Sequence, residues 1–167
     1  MHRIITAGVL CLGAVVAVHA RTVAAPPSCS ITTSGFPLGT YNVFALADTT
    51  TVLSNAIQYS CTRNSTPVTI ALGPSAGTTL FSPRQLLMAG KDVLLYYVSL
   101  GGFTPLCGGG SGEVWGNFIL SNGTVSYFAV SPPRGVAAFV TAYGCIPRGQ
   151  NVEAGTYTDS LTVTISF

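Results

Sequence analysis

Apolar and polar residues alternate along much of the chain, most clearly in its final segment, GTYTDSLTVTISF. There Leu161, Val163, Ile165 and Phe167 alternate with serine and threonine. A period of two is the signature of a half-buried β-strand. No turn or further strand follows in the sequence, so we expect the apolar face of this strand to need a neighbour. Whether that neighbour belongs to the same chain is the functional question.

The same pattern predicts a series of short strands broken by glycine, proline and asparagine. They are expected at residues 29–33, 52–61, 68–72, 86–88, 93–100, 118–120, 124–130 and 136–143. Asn122-Gly123 lies between two of them and is a hairpin signal. No segment shows a sustained helical period with caps, and no internal repeat is present. Seven or more short strands predict an all-β protein built as an antiparallel sandwich.

The first residues have the pattern of a secretory signal. Arg3 precedes an apolar run at 4–18, and Val18-His19-Ala20 resembles a cleavage site. We therefore predict a signal peptide at 1–20, a short segment at 21–28 and one β-domain at 29–167. The apolar run is too short to span a bilayer comfortably, and no later segment approaches the roughly 20 residues required. The sequence thus predicts an exported protein with no transmembrane segment.

The chemistry-bearing residues favour no enzyme. Both histidines, His2 and His19, fall within the predicted signal. The mature protein then lacks an imidazole, which excludes Ser-His-Asp and Cys-His nucleophile systems and histidine metal sites. The five carboxylates are scattered singly and give no positive support to a paired-carboxylate hydrolase. The slight basic excess forms no stripe suited to nucleic acid, so we expect no catalysis, cofactor, metal or nucleic-acid partner.

Four cysteines lie beyond the predicted signal, namely Cys29, Cys61, Cys107 and Cys145. An even number in an exported chain predicts two disulfides, and the sequence allows three connectivities. We favour the sequential pairing of Cys29 with Cys61 and Cys107 with Cys145. The spacing lacks the paired C-x-x-C of a zinc site.

Two local features suggest ligand binding but have simpler interpretations. The glycine-rich segment 108–112 lacks the following Lys-Ser/Thr and helix of a phosphate loop, so we interpret it as a flexible loop. Trp115 with Tyr127 and Phe128 could form an aromatic platform for a sugar, although aromatic residues in β-proteins are more often core. The alternative function is accordingly a self-complete adhesin that holds a ligand with Trp115 and this loop.

The charges of Arg84 and Glu113 stand alone in apolar surroundings. A buried pair is conceivable, but solvated surface positions are the expectation for both.

The chain from Cys29 to Phe167 resembles the spore coat protein U family, pilin-like subunits of archaic chaperone–usher systems. The motifs that carry the resemblance are, in order, Cys29, YSCTRNSTPVTIALG at 59–73, SPRQLLM at 82–88, Leu95-Tyr96-Tyr97, Trp115-Gly116 and AGTYTDSLTVTISF at 154–167. Each piece is weak alone, but their order and the final segment are together fairly specific. The Cys29–Cys61 pairing matches the family pattern, whereas Cys107–Cys145 would be an additional bond.

The resemblance implies an incomplete immunoglobulin-like sandwich that lacks its final strand. A periplasmic chaperone would fill the gap first, and the N-terminal extension of a sibling pilin subunit would later replace it, a form of β-augmentation. The groove residues implied are Leu161, Val163, Ile165 and Phe167, together with Ile31. The expected partners are this chaperone, an outer-membrane usher and sibling subunits. The expected location is the periplasm and then the cell surface, in a pilus or coat.

One departure from the family concerns the segment before the first cysteine. Fibre-building members carry a longer alternating extension there, whereas cleavage at residue 20 would leave only RTVAAPPS. Pro26 and Pro27 cannot donate ladder hydrogen bonds, and Val23 with Ala25 offers little apolar surface. We therefore expect a subunit that accepts a strand better than it donates one, such as a terminal or accessory subunit or a coat protein.

Overall fold

The computed structural model describes residues 25–64, 66–88, 92–100, 107, 114–116 and 124–167, with only the backbone at 124 and 125. These residues form strands and turns, and none belongs to a helix long and apolar enough to cross a bilayer. The predicted signal peptide, the strand at 118–120, the Asn122-Gly123 turn, the loop at 108–112 and Glu113 all lie outside the described residues.

Ten strands follow one another along the described chain. They are β1 (Cys29–Thr33), β2 (Thr49–Cys61), β3 (Pro67–Leu72), β4 (Arg84–Leu87), β5 (Val93–Ser99), β6 (Val114–Trp115), β7 (Thr124–Val125), β8 (Tyr127–Val130), β9 (Ala138–Ile146) and β10 (Val163–Ser166). The prediction for β1 is confirmed to the residue, while β2 begins three residues earlier than predicted. The single strand predicted at 124–130 is two strands, and β10 is shorter than the alternating segment that contains it.

The strands form two sheets. The larger has the order β1-β2-β9-β5-β6-β7, with β4 also pairing β5, and the smaller has the order β10-β3-β8. The pairings are antiparallel except for β6 with β7. The predicted all-β antiparallel sandwich is confirmed.

The core lies between the sheets because alternate residues of each strand face inward. In β3, for example, Val68, Ile70 and Leu72 are buried while the residues between them are partly exposed. The long strand β2 changes register between Leu53 and Ile57, where Asn55 has a φ of 55°. Asparagine tolerates this left-handed conformation better than most residues, so β2 bends here and still pairs with β9 on both sides of the irregularity.

Two disulfides are present, in the sequential pairing. Cys29 is bonded to Cys61, its register partner across β1 and β2, with Cα atoms 4.1 Å apart. Cys107 is bonded to Cys145 near the end of β9, with Cα atoms 5.7 Å apart. The first bond ties the edge strand of the larger sheet to its neighbour.

Candidate strand-accepting groove

Each sheet ends in strands that have a described neighbour on only one side, β1 and β7 in the larger sheet and β10 and β8 in the smaller. Among the described strands, β1 ends the larger sheet and pairs only with β2, and β10 ends the smaller sheet and pairs only with β3. An edge strand presents unpaired N–H and C=O groups, which can template pairing with another chain. The edges at β1 and β10 are candidates for an interaction site because residues of both strands also line a cavity.

The two edges border a common cavity of about 300 Å³. Thr33, the last residue of β1, and Val163, the first residue of β10, both line it. Leu86 of β4 and Tyr96 of β5 contribute to the same lining. A second cleft of about 940 Å³ shares Phe36, Leu38, Leu86 and Tyr157 with the first. We call the continuous depression formed by the two the acceptor groove.

The C-terminal wall of the acceptor groove is an alternating row of half-buried side chains. Tyr157, Asp159, Leu161, Val163 and Ile165 are each half-buried, and the residues between them are exposed. Four of the five pack against the buried core cluster, the exception being Asp159. This row therefore faces the space between the sheets without being covered as a complete core would cover it.

The backbone of this wall is paired on one side. Leu87 of β4 and Thr158 exchange two hydrogen bonds, N···O 2.8 and 3.0 Å, and Gly73 N donates to Thr162 O at 2.8 Å. The β10–β3 ladder continues that pairing. No described strand pairs with the opposite side of β10, so one side of the wall is available for a further strand.

The opposite wall is the segment that follows β1. Phe36 packs edge-on against Trp115, with ring centroids 6.1 Å apart, and the carbonyl of Leu38 accepts a hydrogen bond from Thr51 Oγ1 at 2.8 Å. Tyr41 Oη donates to Gln150 O at 3.2 Å and accepts from Gln150 N at 2.8 Å. These contacts fix the wall although it contains no regular strand.

A polar pair lies within the otherwise apolar lining. Tyr96 Oη donates to Asp159 Oδ2 at 2.7 Å, and Asp159 Oδ1 accepts hydrogen bonds from Ala76 N at 3.1 Å and Ser160 N at 2.7 Å. Burial and the neighbouring Asp159 raise the pKa of the Tyr96 phenol well above its ordinary value. Tyr96 therefore stays protonated and serves as a fixed donor to this carboxylate.

Arg84 supports this region from the core. The expectation of a solvated Arg84 is wrong, because its side chain is fully buried. Its guanidinium donates to the carbonyl oxygens of Phe81, Leu72, Gly73 and Trp115 at 2.6 to 3.3 Å. Desolvation lowers the pKa of Arg84 to about 10, against an opposing effect of Tyr96 and Asp159. One cation thus joins β4 to the ends of β3 and β6.

Trp115 lies in the core of the domain. Its ring is fully buried, and its Nε1 donates to Ile70 O at 3.0 Å. Tyr127 is half-buried, whereas Phe128, the next residue of β8, is 57% exposed. These three residues therefore do not share one exposed face, because Trp115 is a core residue, as the simpler interpretation expected, and adjacent strand residues point to opposite faces.

Of the predicted groove residues, Leu161 and Val163 line the described cavity. Ile165 lies further along β10, and Ile31 faces inward from β1 opposite Tyr59; both are half-buried against the core. Phe167 follows β10 directly and is 53% exposed. The participation of these five residues in strand acceptance stays a prediction.

The sequence matches the family model described as the Spore Coat Protein U domain over residues 14–164. This match covers most of the chain. The chain belongs to this family. A similar curated protein is Protein U of Myxococcus xanthus, 36% identical over 120 residues. That alignment covers 68% of this chain, which spans only 59% of the length of the relative.

The Spore Coat Protein U domain fold is also found in a solved structure with low sequence identity. This structure is the CsuC–CsuE chaperone-tip adhesion subunit pre-assembly complex from archaic chaperone-usher Csu pili of Acinetobacter baumannii. The TM-score is 0.54 at 19% identity, covering 84% of this chain and 40% of the other. At that identity the likeness concerns the fold.

Two parts of the groove of this Spore Coat Protein U domain were missed from the sequence. Asp159 belongs to the same alternating row as Leu161 and Val163, so extending the period-two pattern toward Tyr157 would have placed it on the inward face. Phe36 and Leu38, two residues apart in the second wall, carry only a brief alternation. That signal is too short to separate a groove wall from a loop.

Proposed function

We propose that this protein is a structural subunit of a secreted surface pilus or coat that completes its sandwich by accepting a β-strand from another protein. The observation that carries the proposal is the C-terminal wall of the acceptor groove. Its inward row is half-buried and apolar in four of five positions, and β10 is paired only with β3. A strand placed along β10 would supply hydrogen bonds and cover this row in one step.

Family membership supports the proposed assembly route. A chain of a chaperone–subunit complex has a similar fold. We infer that a periplasmic chaperone covers the acceptor groove of this chain before a sibling subunit replaces it at an outer-membrane usher. Two disulfides fit an oxidising compartment, in agreement with export directed by the predicted signal at 1–20.

We also propose a terminal or accessory position in the assembly. Pro26 and Pro27 lie directly ahead of β1 and lack the N–H groups that a donated strand needs. Sequencing the N-terminus of the mature protein tests this. A start near residue 21 supports the proposal, and an additional strand-like extension overturns it.

The main test is expression in the periplasm with and without the export chaperone. We expect aggregation of the chain alone and a soluble complex with the chaperone, because an uncovered edge strand beside an apolar groove promotes association. A soluble monomer in the absence of the chaperone would contradict the proposal and favour the self-complete adhesin.

A pair of variants on β10 sharpens this test. Val163→Ser changes an inward residue that lines the cavity, whereas Thr164→Ser changes an exposed residue of the same strand. We expect only Val163→Ser to weaken co-purification with the chaperone. Equal retention of the complex by both variants would place the interface elsewhere.

A further inference from the structure

The alternating wall of the acceptor groove leaves the register of an incoming strand ambiguous. A slip of one residue would turn the apolar face of that strand away from the groove, which is strongly disfavoured. A slip of two residues would restore the same face. A wall of apolar residues alone would therefore accept several positions of an alternating strand.

Asp159 makes these alternative positions of the incoming strand different from one another. It lies in the inward row between Tyr157 and Leu161 and lines the same cavity as Leu161 and Val163. It is the one carboxylate in a row whose other described members pack against the core. Its carboxylate therefore distinguishes one position of the groove from all positions two residues away.

The contacts of the carboxylate leave one acceptor site open. Oδ1 accepts from two backbone N–H groups, of Ala76 and Ser160, and Oδ2 accepts from the buried hydroxyl of Tyr96. Each carboxylate oxygen can accept two hydrogen bonds, so Oδ2 has capacity for one more donor beyond the described contacts. Tyr96 fixes this oxygen against the groove lining.

We propose that Asp159 sets the register of the incoming strand by requiring a hydrogen-bond donor at one position of its otherwise apolar inward row. This inference rests on the proposed strand-accepting function. Side chains directly opposite on neighbouring strands have Cβ atoms about 4.5–5.5 Å apart, so a serine or threonine there reaches Oδ2. An aliphatic side chain at that position removes the carboxylate from water without replacing a hydrogen bond, which is unfavourable. The required partner segment is an extended strand with one hydroxyl in its apolar face.

The test uses a short synthetic peptide in which valine alternates with glutamine. In a set of variants, each valine in turn is replaced by serine. The full protein is refolded from urea at a concentration low enough to limit its association, and its affinity for every peptide is measured by fluorescence anisotropy. We expect one serine position to bind about tenfold more tightly than the all-valine parent, because it alone gives Oδ2 a donor. A photo-crosslinker next to that serine should attach near Asp159.

Variants of the protein separate the register effect from general binding. In Asp159→Leu, the all-valine parent should bind most tightly. Asp159→Asn keeps an acceptor oxygen and should retain the serine preference in weaker form. Thr164→Ser changes an exposed residue of β10 outside the cavity lining and should leave the preference unchanged. Thermal unfolding of each variant checks that it remains folded, and Asp159→Asn decides the question if Asp159→Leu does not fold.

Two results would overturn the proposal in different ways. If the peptides bind but the serine scan is flat, or keeps its optimum in Asp159→Leu, strand acceptance stands and the role of Asp159 is wrong. If no peptide of the set binds the unchanged protein, the strand-accepting function and the register proposal fall together.

Discussion

Strands β9 and β10 have similar alternating sequences and very different surroundings. β9 lies between β2 and β5, and its inward residues Val140 and Ala142 are at most 1% exposed. β10 has only β3 as a neighbour, and its inward residues Val163 and Ile165 are half-buried. Alternation therefore determines which face of a strand turns inward, while the number of neighbouring strands determines how completely that face is covered. The difference in exposure between the two strands shows how much of the inward face of β10 its described neighbours leave uncovered.

The largest expected effect is on the covered strand. Ile146→Ala removes a fully buried side chain at the end of β9, and we expect a loss of about 2–5 kcal/mol in the free energy of unfolding, as for other buried isoleucines. Urea denaturation measures it. A loss below about 1 kcal/mol would contradict the view that β9 is already covered by its neighbours.

The next effect concerns β1, an edge strand of the larger sheet that borders the acceptor groove. Replacing Cys29 and Cys61 by serine should lower the free energy of unfolding by about 3–4 kcal/mol, the chain-entropy value for a loop of this separation. Because the bond holds β1 against β2, the affinity for a strand peptide should fall as well. Unchanged affinity in the folded double variant would show that β1 takes no part in the groove.

A smaller effect is expected on the uncovered strand. Ile165→Ala should cost only about 1 kcal/mol in the isolated protein, because the half-buried side chain loses less packing on truncation. The cost should rise when a strand peptide fills the groove and buries Ile165. Measuring both states by urea denaturation tests this, and a cost equal to that of Ile146→Ala without peptide would remove the contrast between β9 and β10.

The smallest effect is a loss of stability at alkaline pH. Burial, followed by the interaction with Tyr127, raises the pKa of Tyr59 to about 12, and the pKa of Tyr96 is raised in the same direction. Above about pH 10 the unfolded chain releases these protons while the folded state keeps them, so stability falls as pH rises. The lowered pKa of Arg84 acts in the opposite direction, because its folded state releases a proton first.

Because two tyrosines act against one arginine, we expect a net decrease in stability as the pH rises. Thermal unfolding measured between pH 8 and about 11 checks this. Tyr59→Phe should make the decrease shallower, because phenylalanine has no proton to release. A profile that rises with pH in the unchanged protein would mean that Arg84 dominates.

Local patterns were sufficient for the strands and the sandwich but not for the surroundings of single side chains. The alternation at 161–167 predicted the inward face of β10, and turn residues located most strand boundaries. The burial of Arg84 and Trp115 could not be predicted, because it depends on four carbonyl oxygens brought together from separate strands and on Phe36 from the second wall. Asp159 was missed for a related reason, since its role depends on Tyr96, which lies 63 residues earlier in the chain.

The Cys29–Cys61 bond has a consequence for how a strand can be exchanged. The disulfide joins β1 to β2 at one end. At that end β1 therefore stays beside β2 while a bound segment dissociates. In the proposed assembly, strand exchange would then proceed by progressive displacement along a fixed β1, with one set of ladder hydrogen bonds growing as the other shortens, so that the domain need not pass through a fully open state.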